Sequence, residues 1–497
     1  MQGLSNFMQW LDDLLWGPIP ALANVPVLGW LSPLAILLVG TGLWFTFNLG
    51  FIQIRGFKKG WNAVFGGMFK KSEKAGAHGM SSFQALATAI AAQVGTGNIV
   101  GASTAIAAGG PGAIFWMWLA AFFGMATIYV EAVLAQKYKK VGDDGHVTGG
   151  PVYYIHAAFE GTLGKVLAVT FAVLIILSLG FLGCAVQSNG IATAWNTVVN
   201  QNGTMQTVNI LGANVPIIQP IIGGVLAIIA FLIFAGGISS IASFTEKVVP
   251  AMACIFITGS LFIIVSHLSW IPDILRRIFI GAFNPQAVFG GAVGVMIKDA
   301  VSKGIARGLF SNEAGMGSTP HAHAVAKVDH PSHQGYVAMI GVFIDTFIIL
   351  DLTAFVVIGS GMFDPSISGA NLTGAALAQA GFREGLKGAN TLGLAEFGNI
   401  FIAFCLTFFA FSTVIGWYFF GAANFKYLFG SKALKIYAII VCACVFLGSL
   451  AEVDWIWNMQ DSFNGLMVIP NLIAILALTK VAKQIMNEDN VHEMLHK

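Results

Sequence analysis

Runs of twenty or more apolar residues recur along nearly the whole chain, separated by short polar stretches. A run of that length is long enough to cross a bilayer as a helix. The pattern predicts eleven spans, at about residues 33–53, 82–108, 112–136, 165–197, 216–236, 247–268, 285–306, 336–362, 393–425, 435–452 and 456–479. Two shorter segments read as helices lying along the membrane surface. Residues 271–280 (IPDILRRIFI) are amphipathic, with paired arginines, and residues 150–159 (GPVYYIHAAF) carry tyrosines suited to the headgroup level. The polar stretches between spans, such as 55–79 and 321–335, are too short to fold alone.

One run breaks the pattern. Residues 91–101 read AAQVGTGNIVG, placing three glycines, a glutamine, a threonine and an asparagine in mid-span. An unsatisfied backbone group in hydrocarbon costs several kcal/mol, so a spanning helix is normally unbroken. Glycine costs about 1 kcal/mol against alanine inside a helix, and Asn or Gln at that depth needs a partner. Close packing through small residues is one account, and Gly97 and Gly101 have the right spacing for it. Packing gives no reason for Gln93, Thr96 and Asn98 to cluster with the glycines. A buried binding site lined by freed backbone groups does.

A broken helix offers N–H groups and partial positive charge at one loose end, for an anion, and carbonyls at the other, for a cation. Such breaks come in pairs in transporters built from inverted repeats. Five spans on from the second is the seventh, whose start reads AVFGGAVGVM (287–296) with Gly290, Gly291 and Gly294. This is the expected partner break. The expected organisation is then an N-terminal segment with one extra span (1–80), a first repeat (81–268), an amphipathic connector (269–284), a second repeat (285–483) and a tail (484–497). Five is odd, so the two halves run in opposite directions across the membrane.

Composition agrees with a membrane chain: 56% hydrophobic and 10% charged over 497 residues, with 40 Phe. The net charge of +2 says nothing about nucleic acid, and with no basic patch with interleaved aromatics no nucleic-acid partner is expected. All five cysteines lie in apolar runs and read as small buried hydrophobes. Basic residues decide the orientation. Arg55, Lys58, Lys59, Lys70, Lys71, Lys74, Lys137, Lys139, Lys140, Lys247, Lys303, Arg307, Lys327, Lys426, Lys432, Lys435, Lys480, Lys483 and Lys497 all fall on one side of the eleven-span arrangement. Only Arg276, Arg277, Arg383 and Lys387 fall on the other side, so the first side is expected to be the cytoplasm, with the N-terminus outside and the C-terminus inside. The N-terminal segment, with Asp12 and Asp13 and no early Lys or Arg, lacks the start of a signal peptide.

The stretch VGTGNIVGASTAIAAGGPGAIFWMWLAAFFGMATIYVEAVLA (94–135) and RGLFSNEAGMGS (307–318) closely resemble the bacterial and archaeal alanine or glycine:cation symporter family. The similarity runs from about residue 30 to 485; Ala113, where the family usually has a larger aliphatic residue, is a slight departure. The resemblance implies a leucine-transporter-type fold, an all-α membrane protein of two inverted five-helix repeats plus an N-terminal helix. It also implies Na⁺-driven uptake of alanine or glycine across the inner membrane. By position within that fold, the resemblance carries a Na⁺ site onto the carbonyls of Ala91, Val94 and Phe409 and the hydroxyls of Ser412 and Thr413. Self-capping of Ser412 and Thr413 within their own helix is the plain alternative.

A zwitterionic substrate needs donors for its carboxylate, acceptors for its ammonium group and a wall for its side chain. The Thr96 hydroxyl and the N–H groups of Thr96, Gly97 and Asn98 are expected at the carboxylate. Carbonyls near Phe289, Gly290 and Gly291 are expected at the ammonium group. Gln187, in LGFLGCAVQSNG, would face the ligand, and Trp417, one turn past Ser412 and Thr413, would wall the site. An interhelical bond for Gln187 and ordinary packing for Trp417 are the plain alternatives.

Charges inside spans need an account. Lys298 and Asp299 in span seven read as structural glue or a gate, with Asp345 and Asp351 in span eight, Glu131 in span three and Asp461 near the outer end of span eleven. Asp299 and Asp345 keep open a rival, a proton-coupled transporter of the same fold. His321, His323, His330 and His333 match no zinc pattern and read as a solvated loop. SNEAG (311–315) reads as a tie for an inner loop. No nucleophile–base set within the spans points to an enzyme.

Overall fold

A computed structural model describes residues 2–19, 21, 30–66, 79–141, 147–200, 203–210, 213–284, 297–387, 397–451 and 453–495. In chain order the main elements are α1 (Gln2–Trp16) and α2 (Pro33–Asn48), then α3 (Ser82–Gln93) and α4 (Gly97–Gly109), and α5 (Ala113–Lys137). A hairpin, β1 (Lys140–Val141) with β2 (Val147–Thr148), leads to α6 (Pro151–Ala158) and the long α7 (Gly161–Val199). A second hairpin, β3 (Thr207–Ile210) with β4 (Ala213–Pro216), precedes α8 (Ile218–Ala235), α9 (Gly237–Ser266) and α10 (Trp270–Phe283). The second half holds α11 (Ile297–Asn312), α12 (Pro320–Ala324), α13 (Pro331–Ser360), α14 (Gly374–Lys387) and α15 (Phe397–Phe429). The chain closes with α16 (Leu434–Gly448), α17 (Val453–Ala477) and α18 (Thr479–Leu495).

Among the described residues seven helices are long and apolar enough to cross a membrane, and two bent helix pairs bring the number to nine. α2 is apolar but only 16 residues long, and residues 285–296, where span seven is expected to begin, lie outside the described residues. The two predicted surface segments are helices, α10 and α6. On α10, Asp273 meets the paired arginines, at 2.5 Å for Arg277 and 3.6 Å for Arg276.

Local chemistry sets the helix starts. Ser81 and Gln84 form a reciprocal capping box at the head of α3, satisfying N–H groups that have no partner within the helix. Ser32 caps α2, with Pro33 in the first helical position. Burial sorts the helices into a centre and a lipid-facing shell. About three quarters of the apolar stretches of α15 and α5 are buried, 78% and 72%, against 22% for α8. Small residues allow the central helices to touch. A Cβ at Gly304 would stand 2.4 Å from the Ala113 carbonyl, and one at Gly308 3.1 Å from Met117 Cα, so α11 lies directly on α5.

Two sequence expectations are corrected by this packing. Arg307 was expected with the cytoplasmic lysines and Asp461 near the outer end of span eleven. The Arg307 guanidinium meets Asp461 in two-pronged fashion, at 3.0 and 3.4 Å, so both stand at one depth, beside α1. The helix α11, expected as the later part of span seven despite its charges, packs against α4 and α5. Lys298, expected inside the membrane as glue or gate, is exposed at the start of α11. The histidines also differ from expectation. His321 and His323 are each only 1% exposed rather than solvated. His321 bonds the Ser318 carbonyl at 2.7 Å and the Asn424 amide at 2.8 Å, and His323 meets Gln334 at 2.8 Å. No cluster of metal-binding side chains occurs among the described residues.

Candidate functional site

The helix α3 ends where the sequence puts its glycines. Val94 is extended, and α4 resumes at an angle of 45° through wide π-type turns. The break is held by side chains of its own. Asn98 Oδ1 accepts from the Gly95 N–H at 3.1 Å, which frees the Ala91 carbonyl from its usual partner four residues on. A Cβ at Gly95 would stand 2.4 Å from Thr413 Oγ1 and 3.0 Å from Gln187 Oε1, so only glycine fits between them.

The helix of the second half is also interrupted, between α11 and α12. Residues 313–319 leave the helical path through Glu313, Gly315 and Gly317, at φ of +58°, +86° and +76°. A glutamate held at positive φ is strained, and such strain clusters at functional sites. The expected contacts of Phe289, Gly290 and Gly291 lie outside the described residues. The interruption found among the described residues is in SNEAGMGS, which sequence reasoning read as a loop tie.

The two breaks touch. Gln93 Nε2 donates to the Asn312 carbonyl at 2.8 Å, joining the end of α3 to the end of α11. A Cβ at Gly97 would come 3.1 Å from Ser311 Cα. Asp345 binds both sides: Asn98 Nδ2 donates to it at 2.6 Å and the Ser311 hydroxyl at 3.0 Å, with Thr346 adding a bond at 3.1 Å. Asp345 is 0% exposed, and these partners are all neutral. On the far side Glu131 clamps the second break. It accepts from the Gly315 and Gly317 N–H groups at 3.0 and 2.9 Å and from Asn471 at 2.6 Å. Glu313, missed by sequence reasoning, bonds Trp417 Nε1 and the Ser318 hydroxyl, both at 2.5 Å.

Of the predicted ion ligands, all five come together. Thr413 Oγ1 lies 2.9 Å from the Ala91 carbonyl, 3.3 Å from that of Val94 and 3.0 Å from that of Phe409. Ser412 Oγ lies 2.9 Å from the Phe409 carbonyl and 3.4 Å from that of Ala91. Five oxygens thus share two hydroxyl protons, an arrangement rich in acceptors and poor in donors. The bonds to Phe409 are the expected self-caps. Those to Ala91 and Val94 cross between helices, which a self-cap does not require. Gly416 lets α15 come this close, since a Cβ there would stand 2.9 Å from that of Ala92.

Of the predicted substrate residues, Gln187 Oε1 accepts the Thr96 N–H at 3.1 Å, and Gly190 lies under the Thr96 methyl. The Thr96 hydroxyl is buried and has no hydrogen-bond partner among the described residues. Asn98 turns its side chain away to Gly95 and Asp345, so it shapes the break. Trp417 is 2% exposed, packs on Gly183 and meets the Phe310 ring edge-on at 6.3 Å.

Two broken helices crossing at the heart of an apolar bundle, with their loose ends bonded to one another, define a membrane transporter of the leucine-transporter type. The chain belongs to the sodium:alanine symporter family, whose profile it matches over residues 20–493. It is 40% identical over 473 residues to the sodium/alanine symporter AgcS of Methanococcus maripaludis, covering 95% of this chain and 94% of that one. It is 38% identical over 466 residues to the amino-acid carrier protein AlsT of Bacillus subtilis, covering 94% and 91%. The fold is similar to that of MhsT, solved in complex with L-phenylalanine, with a TM-score of 0.54 at 14% identity over 83% of this chain and 98% of that one. This is a family of transporters, not of enzymes, and its members are multi-pass membrane proteins.

Proposed function

We propose that the chain takes up alanine or glycine together with Na⁺ by alternating access around the two breaks. The observation that carries this reading is Thr413 Oγ1, which touches carbonyls of the first broken helix from a different helix. Na⁺ is a hard cation that takes oxygen ligands, and neutral oxygens serve it well at low dielectric. It would sit among Ala91, Val94, Phe409, Ser412 and Thr413. The substrate carboxylate would meet the unpartnered Thr96 hydroxyl and the backbone of Gly97, with the Gln187 amide beside it. Carbonyls freed at the end of α11 would take the ammonium group, with any share of Phe289, Gly290 and Gly291 added to them. Trp417, fixed by Glu313, would limit the side chain to a small one. A methylene is worth about 1–3 kcal/mol in a snug pocket, so glycine and alanine are separated only modestly, whereas a bulky side chain clashes.

We read the chain as two inverted five-helix repeats after an extra helix, with the N-terminus outside. Arg307 and Lys303 leave the cytoplasmic set in this reading, and the remaining lysines keep the orientation. A proton-coupled cycle is the second reading, favoured by Asp345, a fully buried carboxylate whose bonding partners are neutral. Uptake of labelled alanine into proteoliposomes, with Na⁺ and pH gradients imposed separately, decides between them. Accumulation driven by Na⁺ alone supports the symporter; accumulation driven only by a pH gradient overturns Na⁺ coupling.

A further inference from the structure

The last helix, α18, leaves α17 at an angle of 60° and packs against α2, α5 and α13. Its apolar face, with Ala482, Ile485 and Met486, is buried. Asp489 stands one turn further on, and three side chains from elsewhere in the chain converge on its carboxylate. Tyr336 Oη donates to Oδ2 at 2.9 Å, and so does Lys59 Nζ, from the short helix Phe57–Phe65, at 3.2 Å. Lys59 is also held over the Tyr336 ring, 5.2 Å from its centre. The other oxygen, Oδ1, faces His330 Nδ1 at 3.6 Å.

That ring nitrogen has two claims on it. His330 is the N-cap of α13, where Nδ1 accepts the Ser332 N–H at 3.3 Å. It cannot do both. A neutral imidazole with Nδ1 bare caps α13 and turns a lone pair toward Asp489. A protonated one donates from Nδ1 and pairs with the carboxylate. Around it stand Asp489 of α18, Lys59 of the short helix, and Lys327, Asp329 and His333 of its own stretch; Glu488 is turned to Gln484. Lys59 already meets Oδ2, which leaves Oδ1 for the imidazole.

Asp489 thus grips α13 at His330 and Tyr336, and Gln334 lies between them. Gln334 Oε1 faces His323 Nδ1 at 2.8 Å and its Nε2 donates to Ser82 at 2.7 Å, tying α13, the segment after the second break and the start of α3 together. Beneath that seal residues 313–326 are all buried. We propose that α18 is a proton-operated latch on this end of the bundle, which is the cytoplasmic end in the orientation given above. Protonation of His330 ties α13 to Asp489 and holds the Gln334 seal shut. Loss of that proton returns Nδ1 to Ser332 and loosens the grip. Docked α18 holds the proton more tightly than undocked α18, so docking tightens as pH falls. Acid on the cytoplasmic side therefore slows the inward opening that releases substrate. The assignment rests on the alanine-symport reading, but its test separates the two.

The test is hydrogen exchange in α18 of the full chain in lipid nanodiscs, at about pH 6 and about pH 8 and corrected for intrinsic rates. Beside it, uptake of labelled L-alanine into proteoliposomes is measured at the same two values, with pH equal on both sides of the membrane. Wild-type α18 is expected to exchange about two- to fivefold more slowly at the lower pH, the scale of a partly exposed ion pair. That difference should vanish in His330→Gln and in Asp489→Asn, while unchanged exchange in α5 and α15 shows that each variant is folded. Wild-type uptake should be slower at the lower pH by a similar factor, and both variants should lose that part of the pH dependence. Exchange in wild-type α18 that ignores pH, or a difference that persists in both variants, overturns the latch. Variants that lose the exchange difference yet keep the wild-type pH dependence of uptake overturn its hold on opening. A wild type that accumulates no alanine counts instead against the symport reading, and the exchange result still decides the docking.

Discussion

At the scale of single residues, the site depends on what is missing from Gly95. Its hydrogen faces Thr413 Oγ1 and Gln187 Oε1 at distances no methyl group tolerates. Gly95→Ala is expected to push α15 and α7 away from the break, at a cost of about 1–3 kcal/mol. Uptake of labelled alanine should fall by about tenfold or more, since each 1.4 kcal/mol is a factor of ten. Gly40→Ala is the control: no described residue lies within 4 Å of its added Cβ, on an exposed face of α2. Uptake by that protein should be unchanged, with stability unchanged or raised. The proposed ion ligands give a second test. Thr413→Ala removes the hydroxyl that meets three carbonyls, Ser412→Ala one that meets two. The Na⁺ concentration for half-maximal uptake should rise in both, and further for Thr413→Ala. An unchanged Na⁺ curve in the double variant displaces the ion from this site.

At the scale of elements, the first break was legible because Gly95, Thr96, Gly97 and Asn98 interrupt an otherwise apolar run. The second break carries the same signal, Asn312 and Glu313 followed by Gly315 and Gly317, but in a polar neighbourhood. The hydropathy pattern closes span seven at about residue 306, with Lys303 and Arg307 at its end, so the break falls in what reads as the loop after it. The reason is physical: α11 is covered by α4, α5 and α10, and its Arg307 is paired with Asp461 of α17, so its charge is met by protein. Glu131 was legible as a buried charge but not as the clamp of a loop 184 residues away in the chain. Removing it leaves the Gly315 and Gly317 N–H groups unsatisfied, at about 1–3 kcal/mol each. Glu131→Ala should therefore lower the thermal midpoint by several degrees, and Glu131→Gln, which keeps one acceptor, by less. Differential scanning fluorimetry in detergent reads both. The docking of α1 is expected to depend on pH. Burial and the neighbouring Asp461 raise the Asp12 carboxyl from 3.8 to about 6, against the opposing pull of Arg307 and Lys303. Docked α1 thus binds more protons than undocked α1 between about pH 4 and 6. Docking should tighten as pH falls through 6 toward 4 and loosen as it rises. Hydrogen exchange in α1 should be slower at pH 5 than at pH 7.5 after correction for intrinsic rates, a difference that Asp12→Asn should abolish.

At the scale of the whole molecule, the two breaks make one object rather than two sites. Gln93 ties the first to the second through Asn312, and Asp345 ties Asn98 to Ser311. The carbonyls of Ala91 and Val94 proposed as ion ligands and the Thr96 hydroxyl proposed for the substrate are carried by the same interrupted segment. On the proposed reading, an ion bound there would order that segment, and an ordered segment would present Thr96 and Gly97 at lower entropic cost. Linkage then requires equal effects in both directions: the factor by which Na⁺ raises alanine affinity is the factor by which alanine raises Na⁺ affinity. Isothermal titration of the protein in nanodiscs, with each ligand in the absence and presence of the other, measures both factors. A coupling of about 1–3 kcal/mol, or about 5- to 150-fold, is the expected size. Thr413→Ala should shrink both factors together, because it weakens the shared segment's hold on the ion. Gln187→Ala should weaken alanine binding while leaving Na⁺ binding alone near its original value, because Gln187 touches the Thr96 N–H and none of the five ion oxygens. Equal loss of Na⁺ binding in both variants would mean that the ion does not sit at the junction of α3 and α15.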